Sequence, residues 1–144
     1  WSSDVCSSDL AGMIGTARAF ARHYAAHRAD GLEGVRLLDP ATVAAARVPC
    51  FGDDGTTLEW HPKMGLGWII GGAAHRHCHV VIPAPWGDAY GHTGFGWSLS
   101  MYCPSRDLSV ALMKNALMPG RAECHTWELV LRATCAALGI AYEA

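Results

Sequence analysis

The stretch DAYGHTGFGWSLSMYCPSRDLSVALMKN, residues 88–115, constrains the fold of this chain more than any other. Its apolar residues recur at short spacing, and glycines interrupt them at Gly91, Gly94 and Gly96. Pro104 and Asp107 punctuate the turn PSRD. Such a pattern reads as strands joined by tight connections, and glycine at a strand end permits a bulge or a close backbone approach. The spacing predicts two strands broken at Gly94 and Gly96, the PSRD turn, and a further strand over LSVALMKN. That last strand is apolar on both faces, as expected of a central strand covered on both sides.

Helices flank this meander in the sequence. Thr16 is a good N-cap for a helix whose apolar face is Ala17, Phe20, Ala21 and Tyr24, with Gly31 as its stop. In RLLDPATVAAA, Asp39 caps and Pro40 takes the first helical position of a second helix through Ala46. Phe51 to Thr57 reads as a polar loop, GLGWII (Gly65–Ile70) as a strand and HCHVVIP as another, ended by Pro83 and Pro85. A final helix runs from about Arg121 to Leu138, with Ala122, Trp127, Val130, Leu131 and Leu138 as its apolar stripe and Gly139 as its stop. The predicted class is α+β: an antiparallel sheet packed by a C-terminal helix.

The first ten residues, WSSDVCSSDL, lack either periodicity. The string TGG-AGT-TCA-GAC-GTG-TGC-TCT-TCC-GAT-CTN encodes them, and it resembles the end of a short-read sequencing adapter. Trp1 to Leu10 are therefore expected to lie outside the fold, with one domain over residues 11–144 that is the C-terminal part of a longer polypeptide. Without Asp4 and Asp9 the acidic side chains number eleven, equal to the eleven basic ones. No basic stripe or acidic tail points to nucleic acid, and no apolar run approaches the roughly 18 residues of a membrane span. Compartment and oligomeric state are not legible. Cys50, Cys78, Cys103, Cys124 and Cys135 form an odd set without a C-x-x-C pair, which favours buried reduced thiols over a disulfide framework.

His92, Thr93 and Gly94 form the triplet around which chemistry is expected. The surrounding sequence resembles the C-terminal part of the serine β-lactamase-like superfamily, which includes class C β-lactamases, D-alanyl-D-alanine peptidases and related esterases. In that family a K-T-G or H-x-G triplet lies on a sheet strand beside the active site. GLGW resembles its Y-G-L-G-W segment, and PSRDLSVALMKN its P-x-R-x-L-x-V-x-x-x-x-N turn and strand. TARAFARHY resembles its S-T-A-x-D-L-A-R-F helix, and RLLDPATV its L-L-S-P-E-T-V, all in the family's order.

The resemblance implies a partial β-lactamase/transpeptidase-like fold and a serine hydrolase acting through an acyl-enzyme on an ester, a β-lactam or a peptide-like amide. It implies that the backbone N–H of Phe95 donates to the oxyanion, that Gly94 lets the acyl group approach, and that the Thr93 hydroxyl binds a substrate carboxylate or amide. His92 stands where many relatives have lysine. It holds a permanent charge less readily, which favours esterase-like substrates. Arg121 is a further candidate for a substrate carboxylate. No metal or organic cofactor is implied; the expected partner is a small-molecule or peptidoglycan-like substrate. The family's S-x-x-K nucleophile motif and its Y-x-N or S-x-N motif do not occur in this chain.

Two other readings stand beside this one. His75, His77 and His79 alternate in HRHCH and would share one face of a strand, as in a metal-binding module. A noncatalytic homologue that binds peptidoglycan or a partner would also carry the triplet.

Overall fold

The computed structural model describes residues 14–50, 63–71, 82, 86–94, 98–114 and 126–142, and the backbone alone of 7–8 and 122–125. Among them, strand β1 (Ser7–Ser8) pairs antiparallel with β2 (Ile14–Gly15). Helices α1 (Ala17–Ala25) and α2 (Pro40–Ala46) follow. The strands β3 (Ile69–Ile70), β4 (Tyr90–Thr93), β5 (Leu99–Cys103) and β6 (Leu108–Leu112) form one antiparallel sheet in that order, and α3 (Ala122–Leu138) ends the chain's regular structure. This is the α+β layout the sequence predicts.

Both early helices start where their caps dictate. The Thr16 hydroxyl accepts from the Ala19 amide at 3.1 Å, and the Asp39 carboxylate from the Ala41 amide at 2.9 Å. The end of α1 differs from expectation. The helix closes at Ala26, because the chain turns to pair Leu32 with Val35 in an isolated bridge. Gly31 (φ 73°) serves that turn instead, since a Cβ there would lie 2.5 Å from the Val35 carbonyl oxygen.

The sheet carries a different layer on each face. Leu99, Met101 and Cys103 of β5 and Leu108 and Val110 of β6 meet Trp127, Leu131 and Cys135 of α3 in one buried core. The α3 stripe is thus Trp127, Leu131 and Cys135, at one-face spacing; Leu138, read as its last member, is exposed. A Schellman ending follows, in which Ile140 N–H reaches Cys135 C=O and Gly139 N–H reaches Ala136 C=O. On the opposite face, the Ser109 hydroxyl of β6 donates to Ala21 C=O of α1 at 2.6 Å, and Tyr24, Val43, Tyr90 and Tyr102 close a second core. Cys103 and Cys135 are buried thiols as expected, whereas Cys50 is exposed.

Of the two interior strands, β4 and β5, only β5 has every residue buried. β6, read as central from its two apolar faces, pairs with β5 alone among the described residues. Its apolarity reflects helices on both faces and not strands on both sides. Close packing against β5 also fixes Gly91. A Cβ there would stand 2.1 Å from the Ser100 carbonyl oxygen and 2.7 Å from the Met101 Cα, neither of which can move without breaking the ladder. Gly91→Ala is expected to destabilise the chain by about 1–3 kcal/mol or more through this overpacking; denaturant unfolding that loses less than about 0.5 kcal/mol would contradict the stated contact.

Candidate functional site

The site lies where β3 leaves β4. Ile69 pairs with Gly91 and Ile70 with Tyr90, so the residues due to oppose His92 and Thr93 are Trp68 and Gly67. They do not pair. The chain from Met64 to Trp68 turns away, with Gly65 N–H donating to Trp68 C=O at 2.9 Å and Gly67 in the left-handed region at φ 80°. GLGW was expected to be part of a strand; only Ile69–Ile70 pairs, and the two glycines make the turn. Gly65 also sits against the α2 end, where a Cβ would fall 2.1 Å from Ala46 C=O. As a result, the outer edge of β4 at His92–Thr93 carries no strand among the described residues.

On the inner side, β4 is held by its full register with β5: His92 opposes Ser100 and Thr93 opposes Leu99. Gly94 N–H donates to Ser98 C=O at 2.8 Å, which closes the hairpin. Strand alternation then separates the triplet's side chains. His92 shares its face with Tyr90, Ser100 and α1, whereas Thr93 shares its face with Leu99 on the α3 side. A ligand that meets both must lie along the strand edge. His92 is exposed and Thr93 half-buried. A shallow depression beside them is lined by Phe20, His92, Gly94, Ser98, Ser100 and Met113. His92 thus stands on β4 beside β5, on the face away from α3.

The imidazole has a defined local partner. Its Nδ1 lies 2.6 Å from Thr93 C=O, and a carbonyl oxygen only accepts, so Nδ1 carries the proton. In that tautomer Nε2 carries the lone pair. That nitrogen can accept a hydrogen bond from a hydroxyl or an amine.

Behind the triplet, Asp88 fixes the entry of β4. Its carboxylate accepts from the Ser105 amide at 2.6 Å and the Ser105 hydroxyl at 2.9 Å, and the Cys103 thiol lies 3.4 Å away. Burial alone would raise this carboxyl; the Ser105 hydroxyl and amide, the Cys103 thiol and the Arg47 charge outweigh it and hold the group below the usual range. Arg47 also donates to Asp88 C=O and lies 5.0 Å above the Tyr90 ring. The triplet therefore projects from a strand anchored at both ends.

The sequence pattern does not mark Ser98 and Ser100 as site residues. Both are buried on the His92 face, and the Ser98 hydroxyl accepts from the Lys114 amide at 3.2 Å. Period-two alternation in SLS was the available signal; the hairpin length needed to align it with His92 was not. The Asp88–Ser105 contact joins residues 17 apart without any local pattern. Phe95 and Arg121 lie outside the described residues, as do His75, His77 and His79. Among the described residues no cluster of three or more His, Cys, Asp or Glu side chains is arranged to hold a metal, and no helix is long and apolar enough to cross a membrane.

The family described as Beta-lactamase matches residues 4–134 of the chain. No curated protein and no solved structure matches it.

Proposed function

Because the chain belongs to the β-lactamase family, we propose that its β4 edge forms one wall of the acyl-transfer site of a serine hydrolase. The observation that carries this reading is the edge at His92–Thr93, which the Met64–Trp68 turn leaves without a strand partner among the described residues. An exposed strand edge presents backbone donors and acceptors to an extended substrate. Such an edge can also offer a backbone N–H to a developing oxyanion, and by resemblance to the family we assign that role to the Phe95 N–H. Gly94 keeps side-chain bulk away from the acyl group, and the Thr93 hydroxyl binds a polar group of the substrate.

The chemistry proposed is two-step acyl transfer. A serine hydroxyl adds to the carbonyl carbon, its proton passes to a neighbouring base, and the protonated alcohol or amine departs. Water then attacks the acyl-enzyme and releases the acid. The 144 residues contain no Ser-x-x-Lys, so in this reading the nucleophile and its lysine come from polypeptide outside them. His92 Nε2 orients the hydroxyl network at this wall. A histidine in place of a lysine carries a permanent charge less readily, which disfavours carboxylate-bearing β-lactams, so the substrate proposed is an ester or an uncharged amide. Arg121 would bind a substrate carboxylate if one is present.

A fluorophosphonate serine probe is expected to leave the 144-residue chain unlabelled, since labelling needs a hydroxyl activated by an adjacent base. Fused behind a homologous segment that carries Ser-x-x-Lys, the chain is expected to restore labelling. His92→Ala in that fusion should slow acylation roughly tenfold or more while shifting stability by no more than about 0.5 kcal/mol, as for other exposed positions. Stoichiometric labelling of a serine within the 144 residues would overturn the reading. So would equal losses of folding and acylation in the His92→Ala fusion. A correctly folded fusion that never labels would favour a noncatalytic binding homologue.

A further inference from the structure

We propose that Ser100 is a positioning residue for His92, acting through one water held in the depression beside the triplet. The inference rests on the reading of the β4 edge as an acyl-transfer wall. His92 and Ser100 are partners in the β4–β5 ladder, so both side chains stand on the face turned towards α1. Cβ atoms of directly opposite residues lie about 4.5–5.5 Å apart, which lets the imidazole and the hydroxyl share one small neighbour. Both line the depression together with Ser98, and Phe20 of α1 and Met113 enclose it with apolar atoms.

Size and lining both suit a single water. The space measures about 10 Å³, room for one such molecule. Ser98 is 5 % exposed and Ser100 7 %, so bulk solvent does not serve these hydroxyls. A buried water makes about three hydrogen bonds, and the imidazole and two hydroxyls supply three. The Ser100 hydroxyl donates to the water, and one water O–H donates to the lone pair of His92 Nε2. The second water O–H faces the Ser98 oxygen, which also accepts from the Lys114 amide. Nδ1 is already tied to Thr93 C=O. One hydrogen bond leaves the ring free to tilt about it, whereas a second at the other nitrogen holds it in one orientation. A group held in place before the substrate arrives avoids the rate lost to misplacement. Every residue this uses belongs to α1, β4, β5 or the segment after β6, so the arrangement stands whatever polypeptide packs over the β4 edge.

Three-bond couplings to His92 Cγ, measured by NMR in the isotopically labelled 144-residue chain, read the χ1 rotamer of His92. Ser100→Ala, checked by circular dichroism for retained fold, should lower the ratio of the main rotamer to the others by roughly 2- to 12-fold, the worth of one hydrogen bond. A crystal structure of the chain should show one ordered water within about 3.2 Å of both Ser100 Oγ and His92 Nε2. In the fusion that carries Ser-x-x-Lys, Ser100→Ala should slow acylation by a similar factor. It should add nothing when His92 is already alanine, because a positioning residue acts only through the group it positions. An unchanged rotamer ratio or a dry depression would overturn the inference and leave the acyl-transfer reading standing. Additive losses of acylation in the double variant would overturn it as well. A shifted ratio in a chain whose fusion is never labelled would support Ser100 as the residue that holds His92 and overturn the acyl-transfer reading alone.

Discussion

Replacing Trp86 by alanine is expected to cost about 3–5 kcal/mol, the range for a fully buried tryptophan truncated in a packed core. Trp86 is 0 % exposed and belongs to the core that joins β5, β6 and α3. Its indole N–H donates to Tyr142 C=O at 2.9 Å, its ring meets the Tyr142 ring at 5.9 Å, and the Arg106 guanidinium lies 4.7 Å over it. Arg132 covers Tyr142 at 4.0 Å in turn, and Arg106 also reaches Ala141 C=O. One side chain thus fills the core and pins the chain after α3. Thermal unfolding of Trp86→Ala should fall by roughly 10–20 °C, with faster amide exchange at Ile140–Tyr142. Trp86→Phe, which loses the donor but keeps most of the volume, should cost less than half as much. A loss below about 1 kcal/mol for the alanine variant would show that Trp86 does not hold these layers together.

Stability is also expected to fall as pH drops from 6.5 towards 4. His27 is 4 % exposed, its Nδ1 has no hydrogen-bond partner, and its ring stacks on Tyr90 and lies beside Trp68 and Tyr24. Burial pushes its pKa down to about 4, with the neighbouring His23 charge as the smaller cause. In the unfolded chain the same ring titrates near 6.5. Between those values the unfolded state binds the extra proton, so stability is complete above pH 6.5, declines through the window and levels off below the folded value. The expected loss is roughly 1–2 kcal/mol once partial rehydration of the charged ring is allowed for. His23, whose pKa burial also lowers, adds to the same slope. On another element, the Arg47 guanidinium lies 5.0 Å over the Tyr90 ring on which His27 stacks. Asp88 and Glu33, both shifted down, act only at lower pH. Urea unfolding of His27→Phe from pH 7 to 4.5 should be nearly flat. An unchanged slope in that variant would assign the acid sensitivity elsewhere.

Local chemistry was legible in the sequence wherever one residue settles one backbone feature. Thr16 and Asp39 cap helices because a short side-chain oxygen meets orphan amides within three residues. Gly139 ends α3 because its left-handed φ of 66° suits glycine. The PSRD turn, the strands on either side of it and the triplet on β4 follow from periodicity and turn residues alone. The order of motifs carried the family, which the match over residues 4–134 shows.

Tertiary structure decided what depends on distant partners. GLGW carries the same glycines whether it pairs or turns; contact of Gly65 with the end of α2 selects the turn, and that turn bares the β4 edge. An apolar strand has the same composition whether strands flank it on both sides or on one, so only packing shows β5 paired on both sides and β6 paired with β5 alone among the described residues. Asp88 and Ser105 meet because β4 and the turn after β5 are neighbours in space. Sequence periodicity fixes the face a side chain takes along its own element, whereas the opposing element is chosen by the free energy of burying those faces together.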